Sequence, residues 1–194
     1  MSDVHSPGIV ATPRSCATQS AETIERALLA HISRGGRSAL AQLYLLYFPQ
    51  LSNFFTHLTA NADLAEELIS DTMFDVWRQS TNIGPDIPVF VWVMRIAYMH
   101  ALRRLARESA GPNHDRPGPT ALEHVPHLQD LLVSLTVEER AVVYLVYSSH
   151  RSRQDVVYIM QQSSEYVDMH LTNARLWLRS SADPDIDSTR HLSS

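Results

Sequence analysis

Apolar residues recur at three- and four-residue spacing through most of this 194-residue chain, and that period restricts the chain to a helical fold. The spacing is clearest from Ile24 to Leu58 and from Leu64 to Trp77, where it places the apolar side chains on one face of each helix. No stretch shows the alternation of a β-strand, and no internal repeat is visible. The sequence therefore predicts an all-α protein.

Proline and glycine divide the chain into two small helical modules. Residues 109–126 are dense in both and predict a flexible linker. The predicted N-terminal module spans residues 21–108, and the predicted C-terminal module spans residues 127–180. The ends of the chain, residues 1–20 and 181–194, are predicted to be disordered tails.

Cap and breaker residues predict where the helices of the N-terminal module begin and end. The first helix is predicted from Thr23 to Ile32, and Pro49 predicts a bend or a restart in the second. Either Asn61 or Asp63 caps the third helix. The segment Ser80–Pro88 (STNIGPDIP) is predicted to be a loop, because one glycine and two prolines forbid a regular helix.

The C-terminal module is predicted to end in a helix-turn-helix. A short helix is predicted over Leu128–Leu135, and the next begins at Thr136 with Glu139 in a capping-box position. Two further helices, Ser152–Met160 and Ser163–Leu178, are separated by two glutamines. So short a turn before a longer helix is typical of a DNA-binding helix-turn-helix.

Composition argues against several classes of function. The single cysteine, Cys16, allows neither an intramolecular disulfide nor a cysteine-based zinc cluster, which favours a cytoplasmic protein. The acidic and histidine side chains near the linker match no metal-ligand spacing; they are His114, Glu123, His124 and His127. No phosphate loop, nucleophile motif or membrane-spanning run is visible. We expect no enzymatic activity, cofactor, metal or membrane insertion.

Charge is segregated between two neighbouring helices, although the net charge of the chain is −5. The polar face of the Leu64–Trp77 helix is almost wholly acidic, and like charges keep it away from phosphates. The helix that follows the Ser80–Pro88 loop carries arginines instead. The N-terminal module therefore suits two partners of different charge, one of them nucleic acid.

These segments resemble bacterial sigma factors of the extracytoplasmic-function (ECF) type, over roughly residues 22–180. The matching stretches are LAQLYLLYFPQL (Leu40–Leu51), LAEELISDTMFDVW (Leu64–Trp77), FVWVMRIA (Phe90–Ala97) and LTVEERAVVYLVY (Leu135–Tyr147) with the helix pair after it. The resemblance implies a bundle like sigma region 2 and a helix-turn-helix like region 4. It implies a non-catalytic subunit that binds core RNA polymerase and directs it to promoter DNA.

The resemblance also implies a role for the acidic helix, which in the family docks on basic helices of the polymerase β′ clamp. The polymerase-binding residues it implies are Asp63, Glu66, Glu67, Asp71 and Asp75. Charge complementarity of this kind sets orientation and association rate more than affinity. The alternative interpretation is a solvated acidic face, which is what most runs of charge are.

The Ser80–Pro88 loop and the start of the next helix correspond to the family's reader of the promoter −10 element, whose bases are held unpaired. Polar loop atoms would bond base edges, and arginines would meet phosphates. The candidates are Ser80, Thr81, Asn82, Asp86, Arg95, Arg103, Arg104 and Arg107. Phe90, Trp92 and Ile96 are expected in the core, because a hydrophobic stripe at helical spacing usually faces inward.

The chain departs from the family pattern at several DNA-facing positions. Tyr98-Met99 stands where the family usually has an Arg-Asn pair, and Gln161 replaces the usual glycine of the turn. In the last helix Asp168 and His170 occupy positions where cations are usual. The remaining candidates for contact with the −35 element are Ser164, Tyr166, His170, Asn173 and Arg175.

The leading interpretation is a sigma factor whose partners are core RNA polymerase, promoter DNA and an anti-sigma protein, since such proteins commonly hold the family inactive. A second interpretation is a sigma-like interaction module that binds an anti-sigma protein or polymerase with little promoter selectivity. A third is a helix-turn-helix repressor that binds duplex DNA without polymerase. Promoter-specific transcription distinguishes the first interpretation from the other two.

Overall fold

The computed structural model describes residues 16–109 and 135–182, and within these ranges every regular element is helical. The elements are α1 (Cys16–Ile32), α2 (Arg37–Thr59), α3 (Ala62–Arg78), α4 (Val89–Ser109), α5 (Val137–Val143), a π-helical turn (Tyr144–Ser148), α6 (Arg153–Met160) and α7 (Ser164–Ala182). The predicted all-α class is confirmed. Three parts of the prediction lie outside the described residues: the linker after Ser109, the helix before Leu135, and the histidines near the linker.

The first two helices differ from the prediction. Helix α1 begins at Cys16, so residues 16–20 are helical and do not belong to a disordered tail. Helix α2 continues through Pro49 without a restart. Proline removes one backbone hydrogen bond, and the fully buried side chains of Tyr47 and Leu51 on either side hold the helix in place.

The predicted caps are present where local sequence specifies them. The Asn61 side chain accepts a hydrogen bond from the backbone N–H of Leu64, which makes Asn61, and not Asp63, the N-cap of α3. Thr136 and Glu139 form a reciprocal capping box at the start of α5. Ser152 forms a second capping box at the start of α6.

The N-terminal module is a bundle in which α2 packs against α1, α3 and α4. Helix α1 also holds the end of the loop before α4. The Glu22 carboxylate accepts hydrogen bonds from the backbone N–H of Val89 at 3.0 and 3.1 Å. Arg26 pairs with Glu22 at 2.8 Å and donates to the Ile87 carbonyl at 2.5 Å. A side chain from α1 therefore caps α4 and fixes where the loop ends.

The two modules share one continuous hydrophobic core. Helix α6 packs against α4, and α5 packs against α2. The side chains of Val156, Ile159 and Met160 in α6 are at most 1% exposed and belong to the same cluster as the core of the N-terminal bundle. No helix in the described ranges has both the length and the hydropathy needed to cross a bilayer.

Candidate interaction surfaces

Four of the five predicted polymerase-binding carboxylates lie together on the exposed face of α3. Asp63, Glu66, Glu67 and Asp71 are all exposed to solvent. Asn61 caps the helix at its start, and the buried side chains of the opposite face orient it against α2 and α4. The acidic surface predicted from the sequence is therefore present, with one exception.

The exception is Asp75, which is buried and does not extend the acidic surface. It is 9% exposed, and its carboxylate lies 3.0 Å from Nε2 of His100 and 2.8 Å from a guanidinium nitrogen of Arg78. A carboxylate removed from water in this way requires such partners. Asp75 thus links α3 to α4, and its assignment to the docking surface is corrected.

An aromatic pair borders the four carboxylates. Phe74 is 57% exposed and Trp77 is 48% exposed, and their ring centroids are 5.7 Å apart. Trp77 was predicted on the buried face of α3, but it lies at the edge of the apolar stripe and points to solvent. Phe74 was missed, although helical spacing three residues after Asp71 places it on the acidic face. We call the six residues Asp63, Glu66, Glu67, Asp71, Phe74 and Trp77 the α3 surface.

The acidic and basic helices, predicted to serve separate partners, touch each other. Glu67 of α3 forms an ion pair with Arg104 of α4 at 3.3 Å. A shallow groove beside this pair is lined by Asp71 and Phe74 on one side and by Arg103 and Arg107 on the other. Charges of opposite sign therefore alternate along this edge of the bundle.

The predicted −10 loop exposes three of its four candidate side chains. Thr81, Asn82 and Asp86 face solvent, whereas Ser80 is 6% exposed and cannot meet a base edge. Ser80 is the second residue after α3, next to the C-cap Gln79, and its side chain is buried against the bundle. Its assignment to DNA contact is corrected.

A cavity of about 380 Å³ lies between this loop and α4. Its wall includes Asn82, Trp92, Arg95 and Arg103, together with Gln161 from the C-terminal module. The amide and guanidinium groups supply donors and acceptors suited to base edges or phosphates. Trp92 and Ile96 are buried as predicted, and Phe90 is half-buried.

The four predicted arginines of α4 differ in their surroundings. Arg103 and Arg107 are exposed. Arg104 is paired with Glu67, and Arg95 is half-buried against Tyr158 of α6, to which it donates a hydrogen bond at 3.1 Å. Sequence spacing did not predict either contact, because both partners lie on other helices.

The predicted −35 candidates of α7 also differ in their exposure to solvent. Ser164, Asn173 and Arg175 are exposed. The rings of Tyr166 and His170 pack on each other, with centroids 4.4 Å apart. The His170 side chain is 11% exposed, and its Nδ1 lies 4.0 Å from the Glu139 carboxylate of α5, so the assignment of His170 to the DNA groove is corrected. Tyr166 is half-buried, and its contact with DNA stays a prediction.

The outer face of α7 carries little positive charge. Hydrogen bonds from the helix start and from Ser163 lower the pKa of Glu165, so its carboxylate stays ionised. Asp168 is paired with Arg153 of α6, and Arg175 donates to the Tyr147 hydroxyl at 2.6 Å. Two exposed apolar side chains, Met169 and Leu176, lie on the same helix.

The turn between α6 and α7 keeps the geometry that a glycine would provide. Gln161 has φ +55° and ψ +39°, the left-handed conformation that the family's glycine favours. The Ser163 hydroxyl accepts a hydrogen bond from the Tyr166 N–H and begins α7. The helix-turn-helix therefore forms despite the substitution.

No family model matches the chain, and no curated protein matches it. Two solved structures, however, match it in fold. The structure of CnrH in complex with the cytosolic domain of CnrY has a TM-score of 0.64 and 20% identity, and the match covers 84% of this chain and 99% of CnrH. The sigma factor RpoE in complex with the anti-sigma factor NepR from Bartonella quintana has a TM-score of 0.59 and 22% identity, with 75% and 97% coverage.

Both matches cover at least three quarters of this chain and nearly all of the matched chain. At these identities the likeness is one of fold. It agrees with the residue-by-residue resemblance of Leu40–Leu51, Leu64–Trp77 and Phe90–Ala97. The chain has the fold of extracytoplasmic-function sigma factors.

Proposed function

We propose that this protein is a sigma factor that binds core RNA polymerase through the α3 surface and directs it to promoters. The observation that carries the proposal is the coexistence of four exposed carboxylates with an exposed aromatic pair on one helix. A purely solvated acidic face has no reason to present Phe74 and Trp77 beside its charges. Aromatic side chains ringed by polar ones are typical of protein interfaces.

The two kinds of side chain have different roles in such an interface. The carboxylates of Asp63, Glu66 and Asp71 attract a basic partner and raise the association rate. The aromatic pair supplies apolar area that the partner covers, and this area determines the dissociation rate. The partner that fits is a helical surface with basic and apolar side chains, as the resemblance implies for the polymerase β′ clamp.

The promoter-binding part of the proposal rests on the loop and on α4. Thr81, Asn82 and Asp86 are exposed on the loop, and Asn82 also lines the cavity. Arg103 and Arg107 are exposed cations on the adjoining helix. These groups suit a single strand whose bases are held apart and whose phosphates lie along α4. For the −35 element the exposed candidates are Ser164, Asn173 and Arg175.

A second function is favoured by the outer face of α7, where acidic and apolar side chains replace the expected cations. A sigma-like module that binds protein partners with little promoter selectivity would need no basic face there. RpoE, one of the matched structures, is bound to an anti-sigma factor. We propose an anti-sigma protein as a partner of this chain as well, and a cytoplasmic location, where core polymerase is found.

Charge reversal on α3 tests polymerase binding. Glu66→Lys plus Asp71→Lys changes two exposed carboxylates and leaves Glu67, which is paired with Arg104, in place. The matched control, Asp86→Lys plus Glu165→Lys, makes the same change in net charge at exposed sites outside α3. We expect the α3 variant to lose core binding in co-purification while the control retains it. Equal retention by both variants would refute the docking assignment.

Run-off transcription with core polymerase and genomic fragments separates the candidate functions. Promoter-specific transcripts support a sigma factor, and core binding without transcripts supports the protein-interaction module. Binding of duplex DNA without core polymerase would instead support a helix-turn-helix repressor.

A further inference from the structure

The outer face of α7 carries a stripe of exposed side chains that recur at three- and four-residue spacing. The members of this stripe are Glu165, Met169, Thr172, Leu176 and Arg179. They lie within roughly 80° of one another around the helix axis, because successive residues of a helix are about 100° apart. Val167 and Ala174, which are at most 1% exposed, lie on the opposite side of α7. The five residues, which we call the α7 stripe, therefore face away from the protein.

The middle of the α7 stripe is apolar. Met169 is 48% exposed and Leu176 is 60% exposed. On one flank of the stripe Tyr147 is 44% exposed, and its hydroxyl accepts a hydrogen bond from Nε of Arg175 at 2.6 Å. Single exposed apolar side chains are common on folded proteins, but two on one stripe with a third beside them form a patch that a partner can cover.

The charges of the α7 stripe lie at its two ends. Glu165 lies in the first turn of α7, and Arg179 lies in the last. Hydrogen bonds from its own backbone N–H and then from Ser163 lower the pKa of Glu165, so its carboxylate is ionised. Beside the stripe Asp168 is paired with Arg153, and this pair adds no net charge. Along the helix the order of the stripe is therefore acidic, apolar, apolar and basic.

This order is complementary to itself when it is reversed. Thr172 lies seven positions from Glu165 and seven from Arg179. When a second α7 packs antiparallel across a twofold axis at Thr172, Glu165 of each copy meets Arg179 of the other. Met169 of each copy then meets Leu176 of the other. A parallel pair would instead set like charges opposite each other, and a partner of one charge would leave one end of the stripe unmatched. The order therefore fits a second copy of this chain.

We propose that the α7 stripe is a self-association surface, through which two copies of this protein pack α7 against α7 in antiparallel orientation. The stripe is about 21 Å long, at about 1.5 Å per residue. One contact between two helices of this length buries less than the roughly 800 Å² that each partner buries in a stable complex. The dimer is therefore weak, with a dissociation constant on the order of 100 µM. Because Asn173 flanks the stripe, a second copy also covers a side chain proposed for the −35 element.

Exchange of the two charges tests the antiparallel pairing. Glu165→Lys sets like charges opposite each other at both ends of the dimer, and so does Arg179→Glu. The double variant, Glu165→Lys plus Arg179→Glu, restores opposite charges and keeps the net charge of the chain. Sedimentation equilibrium of the full chain from about 10 µM to about 1 mM measures the dissociation constant. We expect each single variant to weaken the dimer by roughly tenfold, and the double variant to return to within about threefold of the unaltered protein.

Removal of the apolar middle tests the same surface without a change in charge. Met169→Gln plus Leu176→Gln should weaken the dimer by roughly 100-fold or more, because each substitution removes an apolar contact twice in a symmetric pair. The matched control is Leu45→Gln plus Leu46→Gln, which changes two side chains of α2 that are 73% and 41% exposed. The control should leave the dissociation constant unchanged.

A disulfide between copies tests the position of the twofold axis. Two packed helices lie about 8–10 Å apart, which brings the Cα atoms at the axis into the range of a disulfide. In a Cys16→Ser background, mild oxidation should link two copies of the Thr172→Cys variant. Ser164→Cys, which is exposed on the same helix but away from the axis, should remain unlinked.

A protein that stays monomeric up to about 1 mM would overturn the proposal. So would a dimer that survives Met169→Gln plus Leu176→Gln, and so would single charge variants whose loss the double variant does not restore. The proposed function is tested separately by the charge reversal at Glu66 and Asp71. Core binding that depends on those two residues leaves polymerase docking intact whatever the outcome at α7.

Discussion

Removing the aromatic pair of the α3 surface should weaken polymerase binding strongly while leaving the fold intact. The change is Phe74→Ala plus Trp77→Ala. Both side chains are about half exposed, at 57% and 48%, and neither belongs to the buried core. Loss of binding and loss of stability are therefore separable at these two positions.

The exposed area of the rings determines the size of the expected effect. An aromatic side chain presents about 150–250 Å² in all, so roughly 100 Å² of each ring remains for a partner to cover. At about 25 cal/mol per Å², full coverage contributes about 2.5 kcal/mol per ring. That corresponds to roughly a 60-fold change in Kd for each side chain. The unfolding free energy should change by no more than about 0.5 kcal/mol, as is usual for surface positions.

The assay is titration of labelled protein with core RNA polymerase, together with urea unfolding of each variant. Leu45→Ala is the control, because Leu45 is 73% exposed on α2 and lies outside the α3 surface. A change in Kd no larger than that of Leu45→Ala would refute the assignment of the aromatic pair to the interface. A large loss of stability would show instead that the rings support the fold.

Three further predictions concern stability. Burial, and then the charge of Arg140, lower the pKa of His57 from its usual value of 6.5, so the folded protein binds fewer protons than the unfolded chain. The unfolding free energy should therefore fall as the pH drops below about 6.5. In urea unfolding at several pH values, His57→Gln should make this dependence on pH weaker. Gln161→Gly should raise the unfolding free energy by about 0.5 kcal/mol, because φ +55° strains a residue with a Cβ, and a decrease would contradict this reasoning. Asp75→Ala should lower the unfolding free energy by about 1–3 kcal/mol, because it leaves His100 without its partner. Titration with core polymerase should show unchanged binding per folded molecule.

Much of the secondary structure was predictable from the sequence, because helix periodicity and caps are local. Thr136 caps its helix as predicted, Asn61 is the cap of the two that the sequence allowed, and Ser152, the predicted start of its helix, caps α6 as well. The start of α1 was not predicted, since residues 16–20 lack a clear apolar period and yet are helical. The restart predicted at Pro49 is absent, because packing on both sides of the proline keeps α2 continuous.

Sequence predicted the candidate surfaces less completely. The period of α3 correctly placed Asp63, Glu66 and Asp71 on an outer face. The same period cannot show which neighbouring helix covers a position. Asp75 was therefore assigned to the surface although it is bonded to His100 of α4, and Trp77 was assigned to the core although it is exposed.

The sequence by itself determined the helical class, the caps and the acidic face of α3, because each depends on residues within one or two turns of one another. Only the tertiary structure decided which charged and aromatic side chains remain available to a partner. Arg95 and Tyr158 are 63 positions apart, and Tyr144 and Gln50 are 94 apart. Such contacts depend on how separate helices pack, and no local spacing encodes them.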